Sequence, residues 1–117
     1  MQFEISTLPS GVVYVKLNGR LDIDATLQLE NPFTFQIATA KQPVVVDLSG
    51  VDFIASLAMR LLVKNAKAQQ QRGGKLVLLK PTTLVREALT MSGISTLITI
   101  SDDFDSASQV ALSGMTP

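Results

Sequence analysis

The chain has 117 residues, the length of one ordinary domain, and its 46% hydrophobic and 17% charged residues favour a packed core over disorder. Lys plus Arg and Asp plus Glu number 10 each, for a formal net charge of zero, so the balance carries no electrostatic footprint for nucleic acid. Cysteine and histidine are both absent, which excludes disulfides, thiolate metal sites, cysteine nucleophiles and Ser/His/Asp triads, and leaves a zinc ion only carboxylates.

The start, MQFEISTLPSG, has neither a basic head nor a long apolar segment and does not read as a secretory signal. The longest apolar runs are about five residues, against the ~20 needed to cross a bilayer. The expectation is a cytoplasmic domain that contacts neither membrane nor nucleic acid. Phe3 to Leu8 reads as an edge strand. Pro9-Ser10-Gly11 turns it into VVYVKL at 12–17, a β-branched and aromatic run that predicts an antiparallel pair.

After Asn18-Gly19, the pair Asn31-Pro32 reads as an N-cap with proline at the first helical position. It would open a helix with Phe33, Ile37 and Ala40 on one face, and the segment before Asn31 would be a short separate turn. Pro43 ends that region. VVVDL at 44–48 is an unbroken apolar strand of the kind covered on both faces. Ser49-Gly50-Val51-Asp52 is expected as a loop, followed by Phe53-Ile54-Ala55. Ser56 has the chemistry of an N-cap for a helix whose stripe is Ala58, Leu61, Leu62 and Ala66. Gly73-Gly74 stops that helix, with Arg72 near its negative end, and no phosphate-loop spacing surrounds the two glycines. KLVLL at 75–79 and TLITI at 96–100 predict two more buried strands. Between them Pro81-Thr82-Thr83 opens a helix with face Leu84, Ala88 and Met91, ended by Gly93. Asp102 and Asp105 have the spacing of an acidic cap and its partner, which suits Asp102, Asp103 and Asp105 better than a metal site. Phe104, Ala107 and Ala111 face the core from a last helix.

Strand and helix thus alternate behind an N-terminal hairpin. The expected fold class is α/β, a mixed sheet of four or five strands with a parallel core, an antiparallel N-terminal edge and about four helices.

Residues 44–100, together with Gly19-Arg20-Leu21-Asp22, resemble the STAS family of bacterial anti-sigma-factor antagonists. Asp-Leu-Ser after the central strand, Phe-Ile before the following helix and Ser-Gly-Ile before the last strand carry the resemblance. It implies a single STAS-like domain over residues 1–117 that binds proteins, is not an enzyme and takes no cofactor. The implied mechanism is partner switching in transcription regulation. The domain binds an anti-sigma factor that is also a serine kinase, phosphorylation of the domain releases it, and a phosphatase restores binding. The family's site reads Asp-Ser-Ser-Gly or Asp-Ser-Thr-Gly, and in some members Ser-Ser-Ala-Gly or Ala-Ser-x-Gly. Here it reads Ala55-Ser56-Leu57-Ala58, so the resemblance places phosphorylation at Ser56 and partner contacts at Asp22, Asp47, Leu57, Met59 and Arg60. Each has a plainer reading beside it: Ser56 and Asp22 as helix caps, Asp47 as a loop-capping acid, Met59 as a half-buried core residue and Arg60 as a solvated one. The departures at Ala55, Leu57 and Ala58 favour an alternative, an unphosphorylated STAS scaffold or a subunit of a larger regulatory or transport assembly. The expected oligomeric state is a monomer or weak dimer.

Overall fold

In the computed structural model, which describes residues 2–39 and 43–113, the strands are β1 (Gln2–Thr7), β2 (Val13–Leu21), β3 (Val44–Ile54), β4 (Leu76–Leu79) and β5 (Thr99–Ser101). The helices are α1 (Ile23–Thr39), α2 (Ser56–Gln71), α3 (Thr83–Met91) and α4 (Phe104–Ser113), with a 3-10 turn at Ile94–Thr96. The five strands form one sheet in sequence order. β1 is antiparallel to β2, with Gln2 opposite Asn18, and every other pairing is parallel.

The sheet divides the core in two. On one face Val44, Val46 and Leu48 pack with Leu29, Phe33 and Ile37 of α1, Ala58, Leu61 and Leu62 of α2, and Val85 and Leu89 of α3. On the other face Val12, Val45, Val77 and Leu79 meet Ala107 and Ala111 of α4. The alternation of strand side chains sets this partition.

Several boundaries differ from the sequence reading. α1 begins at Ile23, not Asn31, and Pro32 lies inside it. Asp22 caps it: the Ala25 amide donates to Asp22 Oδ1 at 2.9 Å. Ala25, Leu29, Phe33 and Ile37 recur every four residues and are all buried. That continuous stripe carries the helix through a proline that would otherwise cost it a hydrogen bond and about 3 kcal/mol. Ala40 of the expected face lies outside the described residues. β3 does not stop at Leu48. The expected loop at Ser49–Asp52 is strand, pairing Asn18 with Gly50 and Gly19 with Val51 across two register shifts. A Cβ at Gly50 would meet the Asn18 side chain, which would have to move to admit it.

α3 is rotated from its expected face: Val85 and Leu89 are buried, while Leu84 is 69% and Met91 88% exposed. In TLITI only Thr99 and Ile100 are strand. The α4 cap is Asp103, whose Oδ2 accepts from the Ser106 amide at 2.9 Å. Asp102 instead pairs with Arg86, so the expected Asp102–Asp105 cap does not form.

Candidate functional site

β2 and β3 end side by side, and each hands the chain to a helix at the same edge of the sheet. The Ala55 amide donates to the Leu21 carbonyl at 2.8 Å, which brings the starts of α1 and α2 together. At the far end Gln69 Nε2 and Arg72 Nη2 donate to the Ile37 carbonyl at 3.2 and 2.8 Å. α1 and α2 therefore lie beside each other with both N-termini on one surface.

Ser56 stands on that surface, exposed, as the first residue of α2. It is not the cap. Ala55 takes that position in an extended conformation (φ −81°, ψ 158°) with no side-chain capping bond. The Ser56 hydroxyl is thus uncommitted to the backbone it was expected to cap. The first amides of α2 have no intrahelical acceptors, and the helix dipole presents its positive end there.

Asp22 lines a shallow recess of about 500 Å³ with Arg20, Ile23, Asp24, Phe53 and Ala55. The Arg20 guanidinium stacks over the Phe53 ring, 4.5 Å from its centroid. Ile23, Leu27 and Phe53 are 60, 57 and 40% exposed. Leu57 lines a small cleft with Thr26, Glu30, Arg60, Leu61 and Lys64. Met59 is half-buried and Arg60 exposed; both share a groove with Ser56 on the other side of α2. The structure therefore brings together Asp22, Ser56, Leu57, Met59 and Arg60.

Asp47 is not among them. It is buried on the α4 face of the sheet, where it accepts from the Tyr14 hydroxyl and, at 2.8 Å, from the Ser49 amide. Burial pushes its carboxyl up. The Tyr14 and Ser49 hydrogen bonds and the charge of Lys16 outweigh burial and hold it below the usual value. Burial, then the hydrogen bond to Asp47 and its charge, raises the Tyr14 hydroxyl. Asp47 acts here as an internal strut. Among the described residues no group of three acids gathers as a metal site would require, and no helix is long and apolar enough to cross a membrane.

Sequence reasoning missed Arg20, Ile23 and Leu27. The available signal was two apolar residues four apart on α1 that fall off the stripe from Ala25 to Ile37. On a helix already buried along one face, such a pair is left exposed.

A family model for the STAS domain matches residues 6–107. BtrV of Bordetella bronchiseptica, described as a candidate anti-sigma factor antagonist, is 29% identical over 97 residues, spanning 83% of this chain and 84% of BtrV. Among solved structures, a candidate anti-sigma factor antagonist from Thermotoga maritima superposes with a TM-score of 0.84 at 20% identity, covering 94% of each chain. The anti-sigma factor antagonist SpoIIAA in its unphosphorylated form gives 0.77 at 19% identity, covering 93% of this chain and 96% of its own. Bacillus SpoIIAA in its phosphorylated form gives 0.70 at 18%, with coverages of 93% and 99%. At these identities the solved structures establish the shared fold.

Proposed function

The chain belongs to the STAS domain family, and on that premise we propose that it is an anti-sigma-factor antagonist that works by partner switching. Its unmodified form binds a kinase-type anti-sigma factor, phosphorylation of Ser56 ends that binding, and a phosphatase restores it. The single observation that carries the reading is the exposed, uncommitted Ser56 hydroxyl at the start of α2. Exposed Ile23, Leu27 and Phe53 belong to the neighbouring N-terminal surface of α1 and the end of β3. Apolar side chains of this size suit a protein partner. A phosphate on Ser56 adds close to two negative charges to that surface at a helix end that tolerates them. It therefore opposes an apolar or acidic partner without unfolding the domain. Asp22, Leu57, Met59 and Arg60 surround the site and are assigned as partner contacts; Asp47 is assigned a structural role. The chain acts by binding, and no catalytic role is given to it.

The test combines the protein, ATP and the kinase-type anti-sigma factor of the same genome, with mass spectrometry to locate phosphate. We expect incorporation at Ser56 and loss of the complex. Ser56→Ala keeps the complex and blocks its release. Because Ser56 is not a cap, Ser56→Ala also changes stability by no more than ~0.5 kcal/mol, as for ordinary surface substitutions. Phosphate on another residue reassigns the site. Absence of incorporation, with a control substrate modified, favours the second reading: an unswitched STAS scaffold, which Ala55, Leu57 and Ala58 support.

A further inference from the structure

The zero net charge hides a segregation along the chain. From Phe53 to Arg86 there is no Asp or Glu, yet this stretch holds most of the ten Lys and Arg residues. Arg60, Lys64 and Lys67 fall on successive turns of α2 and span about 10 Å along its axis at 1.5 Å per residue. All three are exposed, and none forms an ion pair among the described residues, where the one pair is Arg86–Asp102. Glu30 lies across the small cleft from Arg60 and Lys64 but does not pair with either.

Beside these cations runs a groove of about 480 Å³ between α2 and the segment that joins α3 to β5. Its apolar lining is Met59, Val63, Ile94 and Leu97. Leu97, between the 3-10 turn and β5, is 62% exposed. The Ser92 hydroxyl touches Met59 Sδ at 3.4 Å and links the two walls. The site is thus a concave apolar floor with cations at helical spacing along one rim.

We propose that this groove docks an acidic amphipathic helix of a protein partner, with the helix's apolar stripe on Met59, Val63, Ile94 and Leu97 and its flanking Asp or Glu side chains against Arg60, Lys64 and Lys67. Helix-in-groove recognition uses anchors at i, i+3 or i+4, and i+7. The cations at 60, 64 and 67 have the same spacing, so acids in register on the partner pair with all three. An anionic bilayer is the other acidic surface a basic stripe could meet. Concavity favours the helix, because a flat headgroup layer does not reach a recessed floor. Ser56 lines one end of the same groove, so the proposal deepens the reading of this surface as a partner site, and a phosphate there would oppose the acidic helix.

The test titrates isotope-labelled protein with a synthetic helix bearing leucines on one face flanked by glutamates, and with a companion in which lysine replaces each glutamate. Amide resonances of Met59, Val63, Ile94 and Leu97 should shift with the acidic helix and not with the basic one. Lys64→Glu combined with Lys67→Glu should weaken binding roughly tenfold or more, since like charges now face each other. Leu97→Ser should weaken it through the floor. All three positions are on the surface, and unchanged circular dichroism confirms that these variants fold. The titration uses unmodified protein with neither kinase nor ATP, which separates this result from the outcome of the kinase experiment. Equal binding of the two helices, shifts confined to another surface, or no response overturns the proposal. Cosedimentation with phosphatidylglycerol vesicles, without a peptide response, would assign the cations to a membrane instead.

Discussion

Tyr14 and Asp47 form a hydrogen-bonded pair between β2 and β3, and Tyr14 also meets Phe104 of α4 edge-on, at 5.7 Å between ring centroids. Tyr14→Phe keeps that packing and removes the hydroxyl. It should cost about 1.5–3 kcal/mol at neutral pH, the range for a hydrogen bond to a charged group, read from the shift in urea midpoint. The pH dependence has a definite sign. The folded Asp47 pKa lies below its ordinary 3.8, so its stabilisation is present above that value and lost as pH falls through the folded pKa. Tyr14 is raised above its ordinary 10.0, so its contribution is present below that value and fades as pH climbs past it. Titration of stability should therefore show an acid limb that is shallower in Tyr14→Phe than in the parent protein. An unchanged acid limb would detach Asp47 from Tyr14. The sequence disclosed that Asp47 ends a buried run; it could not disclose Tyr14, which lies 33 positions away and meets Asp47 only once β2 and β3 pair.

At the scale of elements, α3 shows where periodicity loses its power. Its apolar residues Leu84, Val85, Ala88, Leu89 and Met91 span an arc of about 160° at 3.6 residues per turn, and spacing alone does not say which edge of that arc turns inward. The choice is made by the cap. The Thr82 hydroxyl donates to the Val51 carbonyl at 3.0 Å and accepts from the Val85 amide, which anchors the helix to β3 with Val85 and Leu89 inward. Leu89→Ala should cost about 2–5 kcal/mol by loss of burial and creation of a cavity, whereas Leu84→Ala should stay within about 0.5 kcal/mol. Equal midpoints for the two variants would refute this rotation. α2 was more legible because its stripe runs over more turns: Ala58, Leu61 and Leu62 are buried, and Ala66, one turn on, packs against the same core. Leu62→Ala should accordingly fall in the same range as Leu89→Ala. The three parallel strands were legible because their apolar runs are bounded by turns. The ends of β3 and β5 were not, because backbone pairing with β2 and β4 decides them.

For the whole molecule, two unequal layers share one sheet, with α1, α2 and α3 on one side and α4 on the other. The sole tyrosine, Tyr14, packs in the smaller layer, while most helical residues lie in the larger. Because β2, β3 and β4 serve both layers, the domain should unfold in one step. Tyrosine fluorescence and far-ultraviolet circular dichroism should give the same urea midpoint; an earlier fluorescence change would mean that the α4 layer melts alone. The junction of β3 and α2 has a further consequence. Ile54 ends the strand, Ser56 begins the helix, and Ala55 alone separates them. The Ala55 amide is held by Leu21 and its carbonyl by the Met59 amide. A connection this short leaves the start of α2 little room to swing, so on the proposed reading a phosphate at Ser56 would change the charge of this surface more than its shape. Under that proposal the speed of partner exchange would be set by how fast complexes dissociate, with no waiting time for this chain to rearrange.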